Sequence, residues 1–378
     1  MTIKVLQIGM TKNIGGIEHY LISQYNFLDK NKIMYDFVNI TGEDPMVYTT
    51  YLSEQGSFIY NIVSRHRNPI LHYWQWFRLL YKKRNTYRAI VLNSNGLTYV
   101  YPLVIGKLFK IPVRIIHSHN SNFPFKRTFL KKLLIGFNQF LLKCSATDYW
   151  ACSQLAGEWM FGKNKSFQII HNAIDAKKYA YNLKKSVQIR KKFNLNNKFI
   201  IGHVGSFNYQ KNHEFLIDIF NNVVKMQPDS MLLLIGGDGG NPAIMDSIKE
   251  KVDKLGLTDK VLFLGMRNDV PDLMQSMDCF VFPSRYEGLP LVGIEAQAAG
   301  LECFFSSTIT KELGVTTLAH YITLESSPKQ WAEFIISTCK NKTRKNMEKE
   351  ISNAGYDIQC EIHKIEDFYI MYDKRNSI

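Results

Sequence analysis

An alternation runs through this chain twice and leaves few folds open to it: short apolar runs, each followed by a longer amphipathic stretch. Strands buried on both faces read as continuous apolar runs, and parallel strands need a crossover that is usually a helix. The pattern therefore specifies parallel sheets covered by helices. In the first half the candidate strands are Lys4–Ile8, Asp36–Ile40, Ala89–Leu92 and Arg114–His117, then Tyr149–Ala151 and Gln168–His171. Helical periodicity begins at Ile17, Ile70 and Phe129. The segment after Asn172, through Lys177, Lys178, Lys184 and Lys185, reads as an interdomain connection. The alternation then restarts, with strands at Phe199–Val204, Ser230–Ile235, Val261–Leu264, Cys279–Phe282 and Glu302–Ser306. Helices are expected at His213–Met226, Pro242–Leu255, Val270–Met277 and Leu291–Ala299. A last helical pattern, from about Ile358 to Tyr372, has no strand after it and is expected to cross back to the first domain. A length of 378 residues suits two domains. The expected architecture is α/β: two doubly wound domains facing each other across a cleft, at residues 1–180 and 181–355, with a terminal helix at 356–378.

Charge separates the two halves. The formal net charge of +14 resides wholly in residues 1–180, while residues 181–378 are neutral. Between Glu54 and Asp148 there is no acidic residue, but there are 15 Lys or Arg. Aromatic residues are mixed with these cations. Lys82, Lys83 and Arg84 follow Tyr73, Trp74, Trp76 and Phe77, and Lys126, Arg127, Lys131 and Lys132 lie among Phe123, Phe125 and Phe129. Such helices suit adsorption to an anionic bilayer. The pattern also fits nucleic acid, but no nucleic-acid-binding module is recognisable. The first residues lack a signal-peptide h-region and read as a buried strand. Six cysteines without ligand spacing suit reduced thiols in the cytosol.

In doubly wound sheets ligands bind at the carboxyl ends of strands, so the loops there are where chemistry is expected. Gly9 to Glu18 is a glycine-containing turn into a helix, with Gly15 and Gly16 placed for close approach to an anion. The strand Arg114–His117 ends in His117-Ser-His119, and the two side chains are expected on opposite faces, one toward the cleft. Gly205-Ser206 at a strand end, with Lys211 before the next helix, suits a diphosphate. Glu287, in a loop, and Glu295, one turn into the following helix, could each accept hydrogen bonds from two hydroxyls, as a sugar and a ribose require.

Taken in order, these motifs resemble those of the retaining glycosyltransferases of family 4, also called group 1, which have the GT-B fold. The resemblance rests on Gly15-Gly16-x-Glu18, the strand-end histidine, Asn172-Ala-Ile-Asp175-x-x-x-Tyr179, Val204-Gly205 with Lys211-Asn212, and Pro283-Ser284 ahead of Glu287-x7-Glu295. The closing Gly355-Tyr-Asp-Ile and Tyr369 resemble bacterial capsule and exopolysaccharide members. The resemblance implies that Glu287, Gly288 and Leu289 hold the donor sugar, Glu295 the ribose, and Lys211 the diphosphate. It also implies that the Gly15-Gly16 loop closes from the opposite domain and that His117 or His119 sits beside the reacting centre. One departure is Ser206, where many relatives carry an arginine; Lys12 or Arg267 would have to substitute. The implied reaction moves a sugar from a nucleotide-diphosphate donor, expected to be UDP-linked, to a hydroxyl of a lipid-linked oligosaccharide with retention. No cofactor and no metal are expected, since Asp-x-Asp is absent. The expected location is the cytoplasm, peripheral on the inner face of the cell membrane, in surface polysaccharide synthesis. Two alternatives share the fold: a non-hydrolysing nucleotide-sugar epimerase, and a catalytically weak nucleotide-sugar-binding subunit motivated by Ser206.

Overall fold

A computed structural model describes residues 2–12, 16–42, 46–120 and 128–375. The chain divides into two compact units, Met1–Ala173 with Ile358–Ile378, and Ile174–Asp357.

The first unit holds a seven-stranded sheet: β1 (Ile3–Ile8), β2 (Ile33–Asn39), β3 (Ile59–Asn61), β4 (Ala89–Ser94), β5 (Val113–Ser118), β6 (Asp148–Ala151) and β7 (Gln168–Ile169). Their spatial order is β3-β2-β1-β4-β5-β6-β7, and every pairing is parallel. The second unit holds β8 (Phe199–Val204), β9 (Ser230–Ile235), β10 (Val261–Phe263), β11 (Cys279–Phe282), β12 (Glu302–Ser306) and β13 (Ala319–Ile322), in the order β10-β9-β8-β11-β12-β13, again all parallel. Each sheet reverses its winding once, between β1 and β4 and between β8 and β11. Those switch points leave a crevice at the strands' carboxyl ends, where ligands bind in such sheets.

Two expectations need correction. The segment after Asn172, read as an interdomain connection, belongs from Ile174 onward to the second unit. It folds into the helices Ala176–Tyr179 and Leu183–Lys192, and Ile174 and Ala176 join the core of the second unit. The Ile174 amide donates to the Tyr356 carbonyl at 2.9 Å, pinning the start of this unit to its end. The division therefore falls at residue 173 rather than 180. The edge strands β3 and β13 have no counterpart among the expected strands; both are only half-buried, so they lack the apolar contrast that marks the central ones.

The helix Ile358–Arg375 belongs to the first unit. Ile358, Ile362, Ile365 and Tyr369 are spaced by three or four residues and buried, and the last three join that unit's core. Its polar side is also tied down: Glu366 accepts from the Asp29 amide at 2.8 Å, and Arg88 pairs with Asp373 at 2.9 Å.

On one side of the first sheet lie the helices Pro69–Lys83, Tyr101–Leu108 and Phe129–Ser145, with the middle one packed against both others. Asn68 and Thr128 cap the two outer helices. Trp76, Leu80, Leu103, Ile135 and Leu142 face the core, whereas Trp74, Phe77, Tyr81, Phe129, Leu130, Leu133, Phe137 and Phe140 are exposed. None of the three helices contains an acidic residue. Lys82, Arg84, Lys131 and Lys132 are exposed at this layer and Lys83 is half-buried; Lys126 and Arg127 fall outside the described residues. Among the described residues, no helix is long and apolar enough to cross a membrane.

Candidate active site

The second unit assembles its polar groups at the ends of β8 and β11, on either side of the switch point. After β8 the chain runs through Gly205 and Ser206 and turns at Asn212, which adopts φ 58°, into the helix His213–Met226. The Asn212 side chain donates to the Pro283 carbonyl at 3.1 Å, and the Arg285 amide donates to the Gln210 carbonyl at 2.8 Å. These bonds join the loops after β8 and β11. Lys211 Nζ consequently lies 2.8 Å from Glu287 Oε1, with the side chains 16% and 7% exposed. Gln210 Nε2 donates to the other Glu287 oxygen at 2.9 Å, and the ammonium sits 4.6 Å over the Phe282 ring.

Gly205 and Gly236 make room for this arrangement. A Cβ on Gly236, whose φ is +154°, would stand 2.1 Å from the Gly205 carbonyl oxygen, so only glycine fits there. A Cβ on Gly205 would stand 3.2 Å from the Lys211 side chain. Ser206 is exposed beside them, and so is Gly288; Leu289 is half-buried and packs on the core.

Glu295 lies one turn into the helix Leu291–Ala298, as the sequence suggests, but its neighbours are Tyr179 and Lys178 rather than Lys211. Burial pushes its carboxyl up to about 7, opposed by a hydrogen bond from the Tyr179 hydroxyl and by the Lys178 charge. Arg267, which the sequence offers as a substitute for the missing arginine, is already engaged by Asp269 through two hydrogen bonds of 2.7 and 2.6 Å.

In the first unit, Gly16 opens the helix Gly16–Phe27, and Gly15 lies outside the described residues. Glu18, buried in that helix's first turn, accepts from the Thr11 amide at 2.8 Å and from its hydroxyl at 3.0 Å, holding the end of the loop after β1. The two candidate histidines do not point to opposite faces as expected: two residues apart, they share one, with rings 4.0 Å from each other and both against Tyr20; they differ in burial. His117 is fully buried within β5, against Trp150 and Tyr20. His119 lies just beyond the strand and is half-buried. Its Nε2 is 3.0 Å from Asn93 Oδ1. Asn93 Nδ2 donates to the Ile8 carbonyl at 3.1 Å, which fixes the amide orientation and places the hydrogen on His119 Nε2. Burial holds the His119 imidazole down to about 3, with Asn172 pulling the other way, so the ring is neutral.

Gln210 and Asn93 carry no signature of these roles in the sequence, since each acts through a partner far away in the chain; Tyr179 closes a motif the sequence does show, but its pairing with Glu295 is not written in that spacing. Among the described residues no group of three or more His, Cys, Asp or Glu is arranged to hold a metal ion.

Residues 185–357 match the glycosyl transferases group 1 family. This chain carries a group 1 glycosyltransferase domain. The glycosyltransferase likeness extends beyond that domain. The chain is 28% identical over 377 residues to the putative glycosyltransferase EpsF of Bacillus subtilis, covering 97% of this chain and 96% of the relative. It is 24% identical to the Escherichia coli UDP-Gal:alpha-D-GlcNAc-diphosphoundecaprenol alpha-1,3-galactosyltransferase, covering 97% of each. Among solved structures, Anabaena HepE in complex with UDP superposes with a TM-score of 0.71 at 19% identity, over 99% of this chain and 98% of that one. The two Rossmann-like units of this glycosyltransferase thus have the GT-B fold.

Proposed function

We propose that this glycosyltransferase moves a sugar from a UDP-linked donor to a hydroxyl of a lipid-linked oligosaccharide, with retention, in the synthesis of a surface polysaccharide. The observation that carries the reading is the Lys211, Glu287 and Gln210 cluster at the ends of β8 and β11. It sets a cation for a diphosphate beside a carboxylate for sugar hydroxyls. The names of the E. coli galactosyltransferase and of the UDP complex of HepE support the nucleotide and the lipid carrier.

In this reading Lys211, the Gly205 and Ser206 amides and the amino end of the helix His213–Met226 stabilise charge on the departing diphosphate. Glu287 with Gly288 and Leu289 orients the sugar, and Glu295 holds the ribose. By the family resemblance Gly15, Gly16 and one of the strand-end histidines also serve the reaction; of the two histidines, His119 is the one nearer the open end of β5. Lys211 and the backbone amides make a metal unnecessary, so turnover is expected to survive chelation.

The acid-free helical layer fits the acceptor's location. Its exposed aromatic and aliphatic side chains, set among Lys82, Lys83, Arg84, Lys131 and Lys132, suit an anionic membrane surface, with Lys126 and Arg127 in the adjoining segment. This reading places the enzyme at the cytoplasmic face of the cell membrane.

The test is a screen of nucleotide sugars for nucleotide release, with and without a polyprenyl-diphosphate-linked oligosaccharide. Release from a UDP-sugar that requires the acceptor is the expected result. Conversion of a donor into its epimer without acceptor would overturn the transferase reading.

A further inference from the structure

Beneath the Gly205 loop lies a pair of histidines that the site described above leaves unused. His203 is in β8 and His213 opens the following helix; both are buried. Their rings stand 4.6 Å apart, nearly edge to face. His213 stacks on Phe207 at 4.2 Å, and His203 lies against Phe282 at 5.3 Å. His203 Nδ1 is 2.9 Å from the Val281 carbonyl oxygen, which can only accept, so Nδ1 carries the hydrogen and Nε2 is a bare lone pair. Among the described residues that Nε2 has no hydrogen-bond partner, and the His213 ring has at most a loose contact with the Gly205 backbone. Such under-satisfied rings are unusual, because buried polar groups are normally paired.

Their position gives them a role. A Cβ on Gly205 would stand 3.3 Å from His203 Nε2, and the Gly205 backbone lies beside the His213 ring. The pair therefore sits directly under the backbone that a diphosphate would contact. The fixed charges above it are already matched: Lys211 is paired with Glu287, and Arg267 with Asp269. Ser206 brings no charge. A nucleoside diphosphate sugar carries two negative charges on its diphosphate; of the cations at this loop Lys211 is shared with Glu287, while Arg285, 4.4 Å over the Tyr209 ring, makes no ion pair among the described residues.

Resting on the nucleotide-sugar reading above, we propose that the His203–His213 pair takes up one proton from solvent when a diphosphate settles on the Gly205 loop, and so adds positive charge beneath it to that of Lys211. The proton goes to the free lone pair of one ring, His203 Nε2 or a nitrogen of His213, and no covalent bond between heavy atoms changes. In the unliganded protein burial holds both rings neutral, His213 down to about 4 and His203 well below the usual range, and the Lys211 charge adds to that effect. A bound dianion acts with the opposite sign. The charged groups that face the pair are Lys211, from the connecting loop, and Glu287 behind it, from the loop after β11. The other contacts are the rings of Phe207, Phe280 and Phe282, and Glu214 on the same helix turns outward at 71% exposure.

Two probes test this. UDP-glucose, whose diphosphate diester exchanges no proton near neutrality, is titrated calorimetrically at pH 6 in two buffers of different ionisation enthalpy. Sodium sulfate, equally unable to titrate, is followed by the NMR titration midpoints of the two histidines. Because Glu295 would itself release a proton as the ribose binds at this pH, the calorimetry is done in Glu295→Gln, which is expected to take up about half to one proton per UDP-glucose, and sulfate should raise at least one midpoint by about one unit. Uptake should fall in His213→Asn and His203→Gln. It should also fall in Ser206→Arg, which provides a fixed cation. UDP-glucose binding without proton uptake, or uptake unchanged in both histidine variants, overturns the proposal, as do midpoints that sulfate leaves in place. Midpoints that rise with sulfate while no nucleotide sugar binds would support the histidine pair and sink the nucleotide-sugar reading instead.

Discussion

Replacing Glu287 by glutamine should push stability and UDP affinity in opposite directions. The carboxylate and Lys211 are 2.8 Å apart and at most 16% exposed. With an effective dielectric constant near 20 their gross attraction is about 6 kcal/mol, much of it offset by desolvation. Removing one partner of a buried pair costs roughly 3–5 kcal/mol. The loss here should be smaller, about 2 kcal/mol, because Lys211 keeps its place over Phe282 and some access to water. For a unit of this size that lowers the melting temperature by roughly 4–8 °C. The freed ammonium no longer divides itself between Glu287 and an incoming diphosphate. Glu287→Gln should therefore bind UDP as tightly as the wild type or up to about tenfold more tightly, while transfer falls about 100-fold because the sugar loses an anchor. Differential scanning calorimetry, UDP titration and turnover measure the three effects. A variant that melts like the wild type and loses UDP affinity would mean that Glu287 helps the diphosphate site rather than competing for its lysine, the opposite of what the ion pair implies.

Glu295 should give nucleotide binding a pH dependence. The ionised carboxylate accepts the ribose hydroxyls, and burial pushes its carboxyl up to about 7, so affinity should fall as pH drops below 7. Tyr179→Phe removes the hydrogen bond that holds the carboxyl down, and should move that midpoint upward and weaken binding at pH 7 by roughly three- to tenfold; a binding-versus-pH series measures both. Asn93→Ala should reduce kcat by roughly 10- to 100-fold, because His119 loses the contact at 3.0 Å that fixes its ring, and should leave UDP affinity unchanged; kcat and a direct binding titration separate the two. Changing Leu133 and Phe137 to glutamate should abolish co-sedimentation with anionic vesicles, whereas Lys131→Glu with Lys132→Glu should weaken it by about 1 kcal/mol per lysine and make it less salt-dependent. Neutral vesicles that bind the protein equally well would count against the basic layer.

The central strands, the crossover helices and the reach of the terminal helix are legible because each is written locally, in an apolar run or a three-and-four spacing. Lys211, Glu287 and Glu295 are legible for the same reason: glycine, proline and carboxylate stand close together at strand ends. Residues 173–185 mislead. Their lysines look like a solvated connection, yet Ile174, Ala176 and Tyr179 between them pack into the second unit. Edge strands β3 and β13 are invisible because half-buried strands carry little hydrophobic contrast.

Local patterns along the chain were enough to specify two parallel sheets, to assign the positive charge to one of them, and to put a cation and two carboxylates at the strand ends of the other. Which of these groups meet is a matter of tertiary contact. β8 and β11 are neighbours although two strands lie between them in the chain, and that adjacency joins Lys211 to Glu287 and places Gln210 between their loops. Folding back of the Ile174–Tyr179 segment gives Glu295 its tyrosine, and burial under Gly205 turns two ordinary histidines into neutral ones with bare nitrogens. A sequence specifies which side chains are available. Desolvation and pairing depend on neighbours that only the folded sheet supplies.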